Sequence, residues 1–229
     1  MAKVEPVEQG SLSARTYLRL REALIAGSFA PGTRLLMADL AERLGTSVTP
    51  VREACFRLVS EQALELRSGR FINVPALTRS RYWQIRLIRI ALEGLAAELA
   101  AEQVTDKQVE QLEKLHRRFA KSEASGDAEN ARIANREFHF GVYALSGMDM
   151  LTAQIESLWV SMGPILNVYY QWADNEYVGA EEHLHLLEAL RRRDGKAARA
   201  AIEKDIVRGG MNLLRYFDVH GDTPRTDAA

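Results

Sequence analysis

The chain has 229 residues, 30 Lys and Arg against 31 Asp and Glu, and 47% hydrophobic residues with only 15 Gly and 6 Pro. This composition fits a folded, helix-rich protein of two domains and excludes a disordered or collagen-like one. No apolar run approaches the ~18 residues of a membrane span, the start MAKVEPVEQGSLS lacks an apolar signal core, and the single cysteine, Cys55, excludes an internal disulfide. A cytoplasmic location is therefore the expectation. Charge is shared unevenly: residues 1–78 hold ten Lys/Arg against eight Asp/Glu, and the remainder 20 against 23. The sign is right for a nucleic-acid-binding front half, although the excess is small.

In chain order, residues 1–10 read as a disordered arm, and a first helix runs over 13–26 with Gly27 as its stop. A second helix carries Leu36, Leu40 and Leu44 and breaks at Gly45. The polar corner Ser47-Val48-Thr49-Pro50 then starts a third, with Val51, Ala54, Cys55, Leu58 and Val59 on one face. Ser47 or Thr49 is the expected N-cap, and Pro50 sits in the first turn, where a missing N–H costs nothing. That helix start leaves backbone N–H groups and a partial positive charge facing outward, a natural seat for a phosphate. Arg52 lies one turn inside. Residues 63–67 and 70–74 alternate apolar and polar about Ser68-Gly69, which predicts a short hairpin. The front domain is expected over 11–75, with a linker at 76–78.

Beyond residue 78 the pattern is helical only, with predicted helices at about 80–103, 105–125, 127–146, 149–172, 177–193 and 195–217. Their breaks carry cap or turn residues, among them Thr105-Asp106, Ser125-Gly126-Asp127 and Asp194-Gly195. Pro164 should kink the fourth. The expected fold class is mainly α: a winged helix-turn-helix with a small β wing, then an all-α antiparallel bundle of about six helices over 79–219 and a disordered tail at 220–229.

The front half resembles the GntR family of bacterial transcription regulators. The residues that carry the likeness are Ile25, Gly27, Pro31-Gly32-Thr33-Arg34-Leu35, Leu40-Ala41, Leu44-Gly45, Thr49-Pro50-Val51-Arg52-Glu53-Ala54, Gly69 and Val74. The resemblance implies double-stranded DNA as partner, through Arg34, Arg43, Ser47, Thr49, Arg52, Gly69 and Arg70. An arginine at position 52 can bond guanine O6 and N7 in a bidentate fashion, while Ser47 and Thr49 suit phosphate. Where the family usually has Ser-Arg-Thr-Pro, this chain has Val48 in place of the arginine, so the operator sequence does not carry over.

The back half resembles the FCD ligand-sensing bundle attached to one branch of that family. Arg89, Leu92-Glu93, Leu95 and Ala96-Ala97 match the signature of its first helix, and His139 and His183 match two of its metal ligands. Asn135 stands where the family has an aspartate, and Asp205 stands for its last histidine. The likeness implies a divalent transition metal (Zn, Ni or Mn) on Asn135, His139, His183 and Asp205, a set that keeps one carboxylate. It also implies a small organic acid effector beside the metal, met by Arg89, with Arg86 and Tyr169 as further contacts.

Trp159, Tyr170 and Trp172 could line the same pocket or be plain core. Arg89 could instead pair with Glu93, at i+4, as a surface bridge. His185, His116 and His220 are expected at the surface. The whole reads as a homodimeric, effector-controlled regulator, a repressor by family default. The contrasting readings are a constitutive DNA binder with a degenerate sensor site and, in another class, a metal-dependent enzyme.

Overall fold

The computed structural model describes residues 12–67, 71–172 and 179–222, except for the side chains at 167 and 169–172. Helix α1 (Leu12–Ile25) ends at Gly27, whose φ of 66° is the left-handed turn that a glycine adopts without strain. Strand β1 (Arg34–Leu36), α2 (Met37–Arg43) and α3 (Val48–Ser60) follow, then β2 (Glu65–Leu66) and β3 (Phe71–Asn73). The three strands form an antiparallel sheet of order β1-β3-β2, in which Leu35 and Leu66 both pair with Ile72. The sequence pattern predicts only a hairpin, with Leu36 in the second helix. In the structure Leu36 closes β1 and is the N-cap of α2.

Tyr17, Leu24, Met37, Val51, Leu58, Ile72 and Val74 build the core of this front domain. Cys55 is fully buried there, and burial pushes its thiol up to about 12, which leaves it an inert small core group.

The bundle comprises α4 (Arg79–Gln103), α5 (Asp106–Ala124), α6 (Ala128–Ala144), α7 (Asp149–Trp172), α8 (Gly179–Arg191), α9 (Gly195–Gly209) and α10 (Met211–His220). Thr78, Thr105, Asp127 and Asp194 each accept a backbone N–H at a helix start. Ala96, Ala97, Ala100 and Ala101 on α4 are wholly buried and let α9 pack closely. The single helix predicted over 195–217 is two helices. The break falls at Gly210, where a Cβ would lie 1.9 Å from the Tyr82 hydroxyl oxygen, so the ring of α4 occupies the space a side chain would need. The last helix reaches His220, and Asp222 accepts the Arg79 N–H at 2.7 Å. Pro164 stands inside α7, which continues as one helix around it.

The two parts are joined along α7. Val160 of α7 belongs to the front domain's core, Arg21 of α1 pairs with Glu156 at 2.8 Å, and Gly163 abuts the backbone of Leu24 and Ile25. Gln62, at a φ of 59°, presents its carbonyl to Arg81 of α4.

Candidate functional sites: an exposed helix start and a histidine-lined cavity

On the front domain, Ser47 is the N-cap of α3 and its side chain makes no capping hydrogen bond, so the first N–H groups of α3 face outward. Thr49 lies inside the helix. Arg34, Arg43, Ser47, Thr49 and Arg52 are all exposed. Neither Arg43 nor Arg52 forms an ion pair among the described residues, and Arg34 rests over the Phe71 ring at 3.7 Å. Gly69 and Arg70 lie outside the described residues. This is an outward helix start flanked by free cations, as a helix set into a major groove needs.

In the bundle, a cavity of about 290 Å³ opens between α4, α5, α6, α7 and α9. Arg89, Asn135, His139, Trp159 and Asp205 line it. One ligand atom each from His139, His183 and Asp205 can be drawn within 4.8 Å of the others. The Nε2 atoms of the two histidines are 3.2 Å apart, and His139 Nε2 is 3.5 Å from Asp205 Oδ2. Burial lowers the pKa of both imidazoles, and His183 is driven well below the ordinary range. Both rings are therefore neutral at pH 7, with lone pairs to offer.

The surrounding residues set the histidines in place. Tyr143 Oη donates to Glu93 Oε2 at 2.5 Å, so its oxygen accepts from His139 Nδ1, 3.2 Å away. That chain puts the proton of His139 on Nδ1 and turns the Nε2 lone pair towards His183 and Asp205. Phe138 stacks on His183 at 4.0 Å. Beside it, buried Glu182 takes ion pairs from Arg208 and, at 3.3 Å, Lys204, which tie α8 to α9 and bring His183 opposite Asp205. Lone pairs from two imidazoles and a carboxylate thus meet at one point, an arrangement that a proton or a cation relieves. Two nitrogens and one oxygen are a donor set for Zn²⁺, Ni²⁺ or Mn²⁺ rather than for a hard all-oxygen ion. Asn135 adds an amide to the same cavity wall.

Arg89 does pair with Glu93, at 2.6 Å, but not at the surface: the Glu93 side chain is wholly buried and Arg89 lines the cavity. Burial works against the charge on Arg89, and Glu93 outweighs it, so the guanidinium stays firmly protonated. Glu93 also accepts the Trp159 indole N–H at 3.1 Å. Glu93 and Tyr143 are the residues the sequence reading missed as site residues. Their signal was present in the i+4 spacings from Arg89 and from His139.

Arg86 is not among the cavity's lining residues; it is buried against α9 and donates to the Val207 carbonyl at 3.1 Å. Tyr169 lies in α7, and its side chain, like those of Tyr170 and Trp172, is outside the described residues. Trp159 does line the cavity. His116, expected at the surface, is buried, with its ring 5.9 Å from that of His183 and its Nδ1 without a hydrogen-bond partner among the described residues. His185 is exposed, as expected, and pairs with Glu182 at 3.3 Å.

Residues 12–74 match the family described as bacterial regulatory proteins, gntR family, and residues 84–208 match the FCD domain. The chain belongs to the GntR family. It is 36% identical over 208 residues to the HTH-type transcriptional regulator McbR of Escherichia coli, covering 89% of this chain and 93% of McbR. The solved structure of E. coli McbR/YncC superposes with a TM-score of 0.83 at 33% identity, over 91% of this chain and 100% of that one. The E. coli transcriptional repressor RspR is 25% identical over 88% of this chain and 86% of its own length. The Nta operon transcriptional regulator of Aminobacter aminovorans is 27% identical, over 86% and 96% respectively. Like these relatives, the chain is a DNA-binding transcription regulator of the GntR/FCD type and not an enzyme. No helix among the described residues is long and apolar enough to cross a membrane.

Proposed function

We propose that this regulator is a homodimeric repressor of a palindromic operator, released by a small organic acid that binds beside a divalent metal in the bundle. The observation that carries the sensor half is the meeting of buried His183 with His139 and Asp205, two residues that line a cavity also lined by Arg89. His139, His183 and Asp205 would hold the metal, with Asn135 as a further oxygen donor. Bound there, the metal would supply a Lewis-acidic charge to attract the acid's oxygen. Arg89 presents a fixed cation to the acid's carboxylate, and Trp159 closes the apolar side. A ligand that favours one placement of the winged domains changes operator affinity about 5- to 150-fold for a coupling of 1–3 kcal/mol. RspR, a repressor by name, supports the sense of control.

The outward face of α4 supports the dimer. Trp83, Leu87 and Ile88 are about half exposed on it, no charged residue lies between Leu87 and Leu95 on that side, and a helix apolar on both faces is ordinarily covered on both. Sedimentation at micromolar concentration should give a dimer, and a monomer there would sink this part of the reading.

Metal analysis tests the sensor. The purified protein should hold or take up about one divalent ion per chain, and His139→Ala and His183→Ala should abolish this. Tyr143→Phe, which removes the group orienting His139, should weaken uptake about 10- to 100-fold without unfolding the chain. A wild-type chain that takes up no metal would retire the site.

For DNA, Arg52→Ala should cost about 1–3 kcal/mol on an operator selected from random duplexes, and should relax the preference at one base pair. Equal weakening on every sequence would instead make Arg52 a phosphate contact.

A further inference from the structure

A second cavity, of about 370 Å³, lies where the front domain meets the bundle. Ile25 at the end of α1 and Ala26 just beyond it form one wall, Arg132, Arg136 and Phe140 of α6 another, and Trp159 of α7 the end. Its charges are not balanced in the way a tally of its lining suggests. Glu156 is already held by Arg21 at 2.8 Å, and Glu137 by Arg118. Glu22 is largely in solvent and pairs with Arg19 at 3.4 Å. Glu129 is exposed in the first turn of α6, where the helix dipole favours a carboxylate.

Among the described residues the two cations have no such partners. Arg132 and Arg136 are half-buried, one turn apart, and form no ion pair or hydrogen bond among the described residues; Arg136 only rests 5.5 Å from the Phe140 ring centre. A half-buried guanidinium without a counter-ion carries a desolvation cost that a bidentate oxyanion removes.

This cavity is separate from the histidine-lined one, although Asn135, Trp159 and Leu166 border both. The indole of Trp159 is the partition. Its N–H is tied to Glu93, Arg89 stacks over its ring at 5.1 Å, and Phe140 packs edge-on at 5.2 Å.

We propose that this junction is a second anion site, at which Arg132 and Arg136 bind a small carboxylate or phosphate-type oxyanion against the apolar wall of α1. Its occupant touches both the DNA-binding domain and the bundle, so it stabilises their docked arrangement by mass action. The site needs no metal, and its test is independent of the histidine cluster.

The experiment is calorimetric titration of the chelator-treated full chain with inorganic phosphate and, separately, with succinate. The wild type should bind at least one of them with millimolar or tighter affinity, and Arg132→Gln/Arg136→Gln should weaken that binding about tenfold or more. The variant should keep its melting temperature and its metal uptake, because neither arginine pairs with any residue of the histidine site. Phosphate alone binding, or succinate alone, identifies which oxyanion the site prefers. Equal binding by variant and wild type would place the anion elsewhere, for instance on the exposed arginines of the front domain, and overturn the proposal. Binding of neither anion at about 10 mM would do the same.

Discussion

Replacing Glu93 with alanine should destabilise the protein by about 3–5 kcal/mol, the usual cost of breaking a buried ion pair from one side. Glu93 accepts from Arg89 Nε at 2.6 Å, Arg89 Nη2 at 3.2 Å, Tyr143 Oη at 2.5 Å and Trp159 Nε1 at 3.1 Å, all inside the bundle. Alanine leaves a guanidinium, a phenol and an indole N–H with their donors unmet at once. For a chain of this size the melting temperature should fall on the order of 10 °C. The double variant Arg89→Met/Glu93→Leu should recover only part of the loss, because an apolar pair of similar volume spares the two charges their desolvation but still leaves the Tyr143 hydroxyl and the Trp159 N–H without their acceptor. It should nonetheless fail to respond to the acid that shifts the wild type, which separates Arg89's part in stability from its part in binding. Denaturant unfolding checks the first claim: a loss below about 1 kcal/mol for Glu93→Ala would mean that water reaches the pair.

Gly163→Ala is the second variant with a large expected effect. A Cβ there would lie 1.9 Å from the Leu24 carbonyl oxygen, 2.6 Å from its carbon and 2.8 Å from the Ile25 Cα. All three neighbours are backbone, so no rotamer change clears the space. α1 must withdraw from α7, loosening Val160 from the front domain's core and the Arg21–Glu156 pair with it. The expected cost is about 3 kcal/mol, at the upper end for overpacking. Hydrogen exchange should show α1 opening well before α4 or α6, and metal uptake should be unchanged. Unaltered exchange in α1 would mean the two parts do not dock through this contact in solution.

Much of the architecture is local and could be read residue by residue. Gly27 at the end of α1, Pro50 in the first turn of α3, and the capping bonds of Thr105, Asp127 and Asp194 mark helix limits through backbone chemistry within a few residues. The i+4 spacing put Asn135 and His139 on one helix face, and both line the cavity. Other features have no local cause. Strand β1 is three residues long and exists because β3 pairs with it. The need for glycine at 210, where α9 gives way to α10, comes from Tyr82, more than a hundred positions away in the chain. His116 looked like any polar residue on an amphipathic helix, yet packing against Phe138 and His183 buries it.

Gly45 and Gly163 show the same division. Gly45, at a φ of 62°, has nothing within 4 Å of its missing side chain, so a local turn explains it and the motif shows it. Gly163 looks like an unremarked small residue in an apolar helix, and only the approach of α1 makes it indispensable. Likewise the pairing of Arg89 with Glu93 is written in their spacing, but whether that pair faces water or a cavity depends on which helices cover it. By itself the sequence determined most of the helices, the family and the shared face of Asn135 and His139, because backbone capping and helical periodicity act over a few residues. Burial, the partition by Trp159 and the joint at Gly163 belong to the tertiary structure, because desolvation and close packing depend on side chains that the chain brings together only when it folds.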